Sequence, residues 1–430
     1  MLVGNATRRV AIVGGVRTPF ARANTAFATV DNQELLTAAL RALVERFGLT
    51  GQRLGDVVAG AVIKYPRDYN LSRESLLSTG LDPHTPGLDV QRACGTSLEA
   101  AVLVANKIAL GQIEAGIAGG VDLASDPPIL YPKSFQRLLL RSARGRSLSQ
   151  RLSPWLSLRP HDLKPQFPDV VEPRTGLSMG QSCELMAKRW QISREAQDRL
   201  AYESHMKAAA AWREGFFEDL VTPYRDLKTD NNVRADTTLE KLATLKPVFD
   251  RSPAGTLTAG NSTPLTDGAS ALLLASEQWA AARKLPVLAW MVAGKSWAVD
   301  FATGREGLLM APAYAVSAIL QDMGLTLQDF DYYEIHEAFA AVPLCLFRAW
   351  ESAQYCRERL GRSAPLGSID PSRLNVKGGS VAVGHPFAAT GARILAVLAK
   401  LLAQDSRARR GLASACTAGG MGVTAILERA

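Results

Sequence analysis

Strand-like and helix-like stretches alternate in the first third of this chain and again in its last third. Val10–Gly14 and Asp56–Ile63 look like buried strands, whereas Asn32–Phe47 repeats apolar residues at helical spacing. Strands that alternate with helices usually form a mostly parallel sheet with both faces covered. The sequence therefore predicts an α/β fold.

The last third repeats the plan of the first. His385 precedes a long predicted helix, Thr390–Leu402, much as Cys94 precedes a helical run of its own. Gly411–Cys416, followed by glycines, has its counterpart in Ile113–Gly120. The similarity is one of element order more than of residue identity. Two related halves would bring loops from both to a shared junction, where open α/β folds usually place their sites.

The composition changes between Leu123 and Phe249. Prolines, arginines and tryptophans become more frequent, and the periodic pattern weakens into loops and isolated helices such as Arg194–Glu214. We interpret this region as an insertion into the first half. The predicted organisation is an N-terminal half at 1–122 completed by 250–285, an inserted loop domain at 123–249, and a C-terminal half at 286–430.

Composition indicates a globular protein, and charge indicates which kinds of ligand it suits. The chain has 430 residues, of which 47% are hydrophobic and 21% charged, a balance typical of globular proteins. Its apolar runs look too short to span a bilayer, and no secretory core precedes Val10, so we expect a soluble cytoplasmic protein. A formal charge of +8 suits a polyanionic ligand. No nucleic-acid motif is present, and a phosphorylated carrier such as coenzyme A fits the charge as well. The charge alone is equally consistent with a generally basic soluble protein.

The cysteines are not arranged for disulfides or structural zinc. There are five of them, an odd number without a C-x-x-C pair. Three fall in helical patterns and are expected to be packing residues, namely Cys183, Cys345 and Cys356. We expect no metal and no cofactor.

The other two cysteines lie beside glycine-rich backbone. Cys94 precedes a predicted helix, where backbone N–H groups and the helix dipole favour the nucleophilic thiolate. Thr96 and Glu99 have the spacing of a capping box at the start of that helix. Cys416 ends a predicted strand, and the glycines within 418–422 would let backbone amides point at a developing oxyanion. Taken alone, either cysteine is equally consistent with an unreactive packed residue.

Two histidines occupy constrained positions. His385 is bracketed by Gly384 and Pro386, and His336 follows Tyr333-Glu334-Ile335 at a strand-to-helix turn. A lone histidine is more often structural than catalytic, and we expect a structural role for His84, His161 and His205. Two thiols and two imidazoles in such settings suggest a nucleophile, a proton shuttle and an orienting base, which is the equipment for carbon–sulfur and carbon–carbon bond chemistry on a thioester.

A basic amphipathic stretch lies at 133–159. Arginines alternate there with leucines and a tryptophan. One interpretation is a surface that contacts an anionic membrane or a partner subunit. The other is a solvated helix face that covers the insertion, and both stay open.

The chain resembles the thiolases nearly from end to end. The motifs that carry the resemblance are specific jointly and in this order: Arg17-Thr18-Pro19-Phe20, Arg92-Ala93-Cys94, Gly260-Asn261-Ser262-Thr263-Pro264-Leu265-Thr266-Asp267-Gly268, Gly384-His385-Pro386 and the segment from Cys416 to Gly422. The resemblance implies two duplicated βαβαβαββ halves packed as a five-layered αβαβα sandwich, with 123–249 as the loop domain. It also implies a homodimer or homotetramer that acts on coenzyme A and acyl-CoA thioesters.

The resemblance also implies roles for individual residues. Cys94 matches the acyl-accepting nucleophile, and Cys416 matches the acid/base that moves protons at coenzyme A or at the α-carbon of acetyl-CoA. His385 matches the histidine that activates Cys94 and helps to polarise the thioester oxygen. The backbone amides of Cys94 and Ala418 would form an oxyanion site. The residues implied to line the channel for the pantetheine of coenzyme A are Met179, Phe249, Thr263, Ala338 and Phe339.

One departure narrows the resemblance. Many thiolases carry Asn-Glu-Ala-Phe where this chain has His336-Glu337-Ala338-Phe339. That variant is similar to the β subunit of the trifunctional β-oxidation complex, which implies a hydratase/dehydrogenase α subunit as partner. His336 would then hold the catalytic water or donate to the oxyanion itself. Alanine at 418, where many relatives have glycine, puts little in doubt because only its backbone N–H is needed.

The expected function is that of a 3-ketoacyl-CoA thiolase of fatty-acid breakdown. A biosynthetic acetoacetyl-CoA thiolase, which runs the same chemistry in reverse, is the alternative. A condensing enzyme of fatty-acid synthesis also uses cysteine and histidine, but the glycine setting of Cys416 argues against it. A non-catalytic lipid-binding relative would be expected to have lost Cys94 or Cys416, and this chain keeps both.

Overall fold

The computed structural model describes residues 8–168 and 170–430, so the expectation about residues 1–7 lies outside the described part of the chain. The strands are β1 Val10–Arg17, β2 Ala21–Arg22, β3 Asp56–Ala59, β4 Gly87–Asp89, β5 Ala115–Leu123, β6 Thr266–Ser276, β7 Ala289–Ala298, β8 Tyr332–Ile335, β9 Arg410–Thr417 and β10 Met421–Arg429. The helices are α1 Asn32–Arg46, α2 Leu71–Leu76, α3 Thr96–Ala109, α4 Lys133–Arg144, α5 Leu148–Leu152, α6 Met179–Arg189, α7 Arg194–Arg213, α8 Leu239–Ala243, α9 Glu277–Ala282, α10 Ala311–Met323, α11 Ala341–Glu351, α12 Ala353–Glu358, α13 Ser380–Val383 and α14 Thr390–Gln404.

The strands form two sheets joined at one seam. The N-terminal half contributes the order β4-β3-β5-β6-β1, and the C-terminal half continues it as β7-β10-β9-β8. The seam is a short antiparallel pairing of Ala11 with Trp290 and of Ile12 with Ala289. Each half therefore presents one sheet, and the two sheets share an edge.

The expectation of a mostly parallel sheet is wrong. Among the strands of the described residues, only β3–β4, β3–β5 and β8–β9 pair in parallel, whereas β6 and β10 run antiparallel to the strands on either side of them. The reason is visible at β9 and β10, which follow one another through the turn at 418–420. Strands joined by so short a turn can pair only antiparallel, because a parallel pair needs a long crossover.

Helices and sheets alternate in five layers, as the αβαβα expectation requires. One hydrophobic cluster joins α1 to one face of the N-terminal sheet, and another joins α10 and α11 to one face of the C-terminal sheet. The central cluster places α3 and α14 between the two sheets. A helix with a sheet on either side has no solvent face, which is why residues 390–402 of α14 are all buried.

The α14 region corrects one expectation about apolar runs. Phe387–Gln404 is long and apolar enough, by composition alone, to cross a membrane, and 83% of that window is buried inside the fold. Burial in the middle layer accounts for its apolar character. It is a core helix.

The two halves follow the same plan with one reduction. The N-terminal half runs β1-α1-β3-α2-β4-α3-β5-β6, and the C-terminal half runs β7-α10-β8-α11 and then α14-β9-β10. Where the third strand of the second half would lie, the structure has a single parallel bridge between Tyr333 and Leu374. The duplication that element order predicted is thus present, and one edge strand is shortened to a bridge.

The segment between β5 and β6 carries α4 to α8. Within it, α4, α5 and the helical turn Ser153–Ser157 form a small hairpin, called here the α4–α5 hairpin. Its apolar contacts include Phe135 against Trp155, with ring centroids 6.2 Å apart. Several apolar side chains of this hairpin are exposed, and Leu148 and Leu156 keep 75% and 91% of their surface in solvent. This exposure of apolar side chains does not fit a helix face made only of solvated polar residues.

Candidate active site

The segment before α3 holds Cys94 in a tight turn. Ala93 has a positive φ of 44°, in the left-handed region that a residue with a Cβ seldom adopts. The Thr96 hydroxyl accepts from the Arg92 N–H at 2.9 Å and donates to the Ala93 carbonyl at 2.7 Å, which fixes the turn. The capping box predicted here is wrong, because Gly95 precedes the helix, Thr96 is its first residue and Glu99 lies 3.6 Å from Arg92 instead.

Cys416 lies near the end of β9, and the turn that follows reaches Cys94. The backbone N–H of Ala418 points at the Cys94 sulfur. On the next residue, the Gly419 N–H donates to Glu172 Oε1 at 2.5 Å. A Cβ at Gly95 would lie 2.9 Å from the Thr417 side chain, so glycine lets the two loops approach this closely.

His385 is held on three sides. Gly384 has a φ of 104°, and a Cβ there would lie 2.7 Å from Asn232 and 2.8 Å from Thr266. The backbone N–H of His385 donates to Thr266 Oγ1 at 3.1 Å, and the ring nitrogen Nδ1 lies 2.6 Å from Thr390 Oγ1. The other ring nitrogen, Nε2, is buried without a partner within the described structure.

His336 follows β8 and is held in a similar way. Its N–H donates to the Ser414 carbonyl at 2.8 Å, and its Nδ1 lies 2.8 Å from Ser380 Oγ. The His336 and His385 rings are 4.1 Å apart between centroids. His336 Nε2 is also buried and has no partner among the described residues. Both imidazoles thus have one nitrogen occupied and one free.

The four candidate catalytic residues come together, although they lie up to 322 positions apart. One nitrogen from each of His336 and His385 and the Cys94 sulfur all lie within 4.8 Å of one another. Burial raises the pKa of the Cys416 thiol, and Cys94 lies close enough to raise it further. One thiolate and two imidazoles could also hold a metal ion such as Zn²⁺, and as acid–base groups they suit acyl transfer.

Burial keeps these groups neutral. It raises the pKa of the Cys94 thiol to about 12, against the opposing effect of the Ala418 N–H. It lowers the pKa of His385 to about 3 and the pKa of His336 well below its ordinary value, with the positive charge of Arg393 acting in the same direction. The expectation that the helix start favours the thiolate is therefore wrong for the unliganded site, because desolvation outweighs the dipole.

Some residues that shape the site had no signal in the sequence. Asp122, at the end of β5, accepts from the N–H groups of Val62, Ile63 and Ala388 at 2.9, 2.7 and 2.7 Å. Burial raises the pKa of Asp122 to about 7. Its position two residues after Gly120, near a strand end, is the only hint that the sequence offers. Ser380 and Arg393, which contact each other beside His336, had none.

A cavity of about 670 Å³ opens next to the cysteines. Ala93, Ala418 and Gly419 line it beside Cys94 and Cys416, and so does Met179, one of the five residues predicted to line the coenzyme A channel. The rest of its wall is mainly apolar and includes Val62, Ile63, Pro127, Pro128, Phe167, Val170, Val171, Leu265, Phe387 and Met421.

The other four residues predicted to line that channel form a neighbouring group. Thr263 donates from its N–H and its hydroxyl to the Ala338 carbonyl at 3.1 and 3.0 Å. The Phe249 and Phe339 rings meet edge to face with centroids 5.7 Å apart. The loop that carries Thr263 also borders a second cleft. The residues that line this cleft include Arg22, Arg234, His205, Asn232, Ser262, Pro264 and Val381.

Known proteins match the chain over nearly its whole length. The family models described as "Thiolase, N-terminal domain" and "Thiolase, C-terminal domain" match residues 10–278 and 287–429. A 3-ketoacyl-CoA thiolase of Yersinia pestis (strain Pestoides F) is 43% identical over 426 residues, which cover 98% of this chain and 97% of that protein.

Two solved structures share the fold. The Bacillus anthracis acetyl-CoA acetyltransferase superimposes with a TM-score of 0.81 at 30% identity, over 99% of this chain and 100% of that one. The human mitochondrial 3-ketoacyl-CoA thiolase superimposes with a TM-score of 0.80 at 28% identity, over 98% of this chain and 99% of that one.

Proposed function

The chain belongs to the thiolase family, and from that premise we propose that it is a 3-ketoacyl-CoA thiolase of fatty-acid β-oxidation. It is an acyltransferase that cleaves 3-ketoacyl-CoA with coenzyme A into acetyl-CoA and a shortened acyl-CoA. The observation that carries this proposal is the meeting of the Cys94 sulfur with two imidazole nitrogens within 4.8 Å, beside Cys416.

In the first half of the reaction, Cys94 attacks the 3-keto carbon and passes its proton to His385. The N–H groups of Cys94 and Ala418 stabilise the oxyanion that forms on the keto oxygen. The Cα–Cβ bond then breaks, and the acyl group stays on the Cys94 sulfur. The departing enolate of acetyl-CoA takes a proton from the Cys416 thiol. Splitting the reaction through a covalent intermediate avoids a free carbanion.

In the second half, the Cys416 thiolate removes the thiol proton of a second coenzyme A. The coenzyme A sulfur attacks the acyl group on Cys94, and the carbon–sulfur bond to Cys94 breaks. Cys94 recovers its proton from His385, and Cys416 has recovered its own from coenzyme A. Protons therefore balance over the cycle.

The cavity beside the cysteines supports a long acyl substrate. Its volume of about 670 Å³ lies within the usual range for ligand pockets, and its wall is mainly apolar. We place the acyl chain there. The second cleft, with Arg22 and Arg234, has the charge to bind phosphates of coenzyme A. The alternative, a biosynthetic acetoacetyl-CoA thiolase, would need room for only a four-carbon substrate.

A substrate series separates these two functions. We expect kcat/KM for thiolytic cleavage to be higher for C10–C16 3-ketoacyl-CoA than for acetoacetyl-CoA, because each buried CH₂ contributes about 0.8 kcal/mol of transfer free energy. Replacing Val170 with Trp should fill the cavity and selectively slow the long substrates. Equal or better cleavage of acetoacetyl-CoA by the unmodified protein would favour the alternative.

Two cysteine variants test the assignment of roles. Cys94→Ala should abolish both turnover and formation of the acyl-enzyme. Cys416→Ala should still acylate slowly but fail to complete the exchange, because no group remains to move the proton. Mass spectrometry of the protein after exposure to substrate reports the acyl adduct. Normal cleavage of acetoacetyl-CoA by Cys94→Ala would show that the nucleophile is another group.

From the resemblance we propose a cytoplasmic homodimer or homotetramer that needs no metal or cofactor besides its substrate coenzyme A, and a hydratase/dehydrogenase α subunit as partner. Light scattering of the purified protein reports the subunit count, and full activity after treatment with a chelator would support metal-free chemistry.

We also propose that the α4–α5 hairpin contacts an anionic membrane. Its exposed leucines and Trp155 lie among Arg137, Arg141 and Arg144, which is the composition of interfacial helices. The α subunit is the other candidate for this surface.

A further inference from the structure

A chain of buried polar contacts ends at His336, which occupies the position where many thiolases have asparagine. Arg393, on α14, donates from Nη2 to Ser380 Oγ at 2.7 Å. Ser380 Oγ in turn lies 2.8 Å from His336 Nδ1. All three side chains are buried, so water does not compete for these contacts. Arg393 and Ser380 touch none of the reacting atoms that the proposed mechanism needs.

The direction of each hydrogen bond follows from what the groups can donate. A guanidinium has only donors, so Ser380 Oγ must accept from Arg393. The Ser380 hydroxyl has one proton, and His336 Nδ1 is the only other hydrogen-bond partner of this oxygen within the described structure. If Nδ1 carried a hydrogen, the buried hydroxyl proton would have no acceptor, which is costly. The serine therefore donates to Nδ1, and the hydrogen of His336 resides on Nε2.

His385 has the opposite arrangement. The hydroxyl of Thr390 lies 2.6 Å from His385 Nδ1 and donates to the Pro386 carbonyl at 3.2 Å. With its one proton used on that carbonyl, the threonine accepts from Nδ1–H, and His385 Nε2 keeps a lone pair. The two neighbouring rings thus present different free atoms to the same space: a donor from His336 and an acceptor from His385.

We propose that Ser380, anchored by Arg393, is a positioning residue that holds His336 in the Nε2–H tautomer, so that His336 donates to the thioester oxygen of the acetyl-CoA enolate. This rests on the proposed function. His385 Nε2 is left free to take the thiol proton of Cys94. Because Arg393 is positively charged and lies behind the serine, it also opposes protonation of His336, which keeps this ring neutral.

The proposal makes one step of the reaction more dependent on Ser380 than the others. Only the breaking of the Cα–Cβ bond generates the enolate. Exchange of labelled coenzyme A into acyl-CoA forms no enolate, and its oxyanion is stabilised only by the N–H groups of Cys94 and Ala418. We expect Ser380→Ala to lower kcat for cleavage by about 10- to 10³-fold, the upper figure being the loss of one oxyanion donor, and to leave coenzyme A exchange within about twofold.

A matched control exists elsewhere in the chain. Ser317, on α10, is buried and accepts from Arg362 Nε at 2.9 Å, so Ser317→Ala removes the same kind of contact away from the cysteines. It should change neither rate. In a His336→Asn background, Ser380→Ala should cost nothing further, since the residue through which it acts is gone. Equal losses of cleavage and exchange, or an undiminished cleavage rate, would overturn the proposal.

The tautomers can also be measured without catalysis. With only five histidines, ¹⁵N-histidine labelling gives a resolvable set of two-bond proton–nitrogen correlations, which distinguish Nε2–H from Nδ1–H. We expect His336 as Nε2–H and His385 as Nδ1–H in the unmodified protein, assigned with His336→Asn. His336 as Nδ1–H would overturn the proposal even if the enzyme is active. A wild-type protein without cleavage would contradict the proposed function instead, and these signals would then decide the network by themselves.

Discussion

At the residue scale, burial sets the charge of the reactive groups before any substrate binds. The Cys94 thiol has its pKa raised to about 12 and His385 has its pKa lowered to about 3, so between these values the resting pair is a neutral thiol beside a neutral imidazole. A thiolate–imidazolium pair would require the reverse order of pKa values. In the proposed mechanism the proton therefore moves during the attack itself, with His385 as general base.

This charge state predicts the pH dependence of alkylation at Cys94. From pH 6 to 9 neither Cys94 nor His385 changes its main form, and the thiolate fraction rises tenfold for each pH unit. We expect the rate of reaction with iodoacetamide to rise with a slope near one on a logarithmic scale, with no plateau. Mass spectrometry of the Cys94 peptide measures it, in a Cys416→Ser background that removes the neighbouring thiol. A rate that is flat between pH 6 and 8 would indicate an ion pair.

The residues proposed to be catalytic could be singled out from the sequence, and their surroundings could not. Cys94, Cys416 and His385 lie in short glycine-flanked segments whose local chemistry marks them. The structure brings Cys94 and His385 together with His336, and Cys416 lies near Cys94. The direction of the Cys94 pKa depends on burial, for which the segment has no pattern. Ser380 acts on a residue 44 positions away, so no local pattern identifies its contact.

At the scale of elements, α14 connects the two halves because it packs against both sheets and crosses α3. Its continuous apolar sequence predicts a buried helix, and burial from 390 to 402 agrees. Strand direction was harder to predict. The alternation of β and α describes the first part of each half, but the final two strands of each half run antiparallel, and an alternating pattern has no information on direction.

The close approach of α14 to α3 predicts a change in stability for Gly391→Ala that is opposite in sign to the change expected from helix propensity. Helix propensity alone predicts that Gly391→Ala stabilises the protein by up to about 1 kcal/mol. A Cβ at Gly391 would lie 2.3 Å from the Leu98 backbone nitrogen, a contact that no side-chain rotation relieves. We expect a net loss of about 1–3 kcal/mol in the free energy of unfolding, measured with urea.

Ala403→Gly is the control for propensity, because Ala403 is exposed near the end of the same helix. It should cost no more than about 1 kcal/mol. A Gly391→Ala protein at least as stable as the parent would mean that the two helices do not approach as closely as described.

At the scale of the whole molecule, the apolar surface is unevenly distributed. The five-layered body buries its long hydrophobic elements, whereas the α4–α5 hairpin leaves Leu148, Leu152 and Leu156 exposed among arginines. Isolated exposed leucines are ordinary in soluble proteins, but a cluster of them on one hairpin is typical of an interaction surface. Enzymes of long-chain acyl substrates act on molecules that partition into membranes, so a membrane contact would place the cavity near its substrate.

Charge reversal on this hairpin tests the membrane contact. Replacing Arg137, Arg141 and Arg144 with Glu changes the charge by two at each position, and so lowers the formal net charge from +8 to +2. At about 1 kcal/mol for each basic residue near an anionic surface, losing three should weaken binding to phosphatidylserine vesicles by about 10²-fold. Co-sedimentation measures the bound fraction, and thiolase activity in solution should be unchanged.

The control triple replaces the exposed Arg53, Arg407 and Arg409 with Glu, which gives the same net charge at other places on the surface. If both triples weakened binding equally, the attraction would belong to the whole basic molecule and not to the hairpin. If neither did, the membrane contact would be wrong, and the exposed leucines would be better explained by a partner subunit. Loss of binding in the hairpin triple alone distinguishes a dedicated surface from general charge, because the two proteins differ only in where the charge was removed.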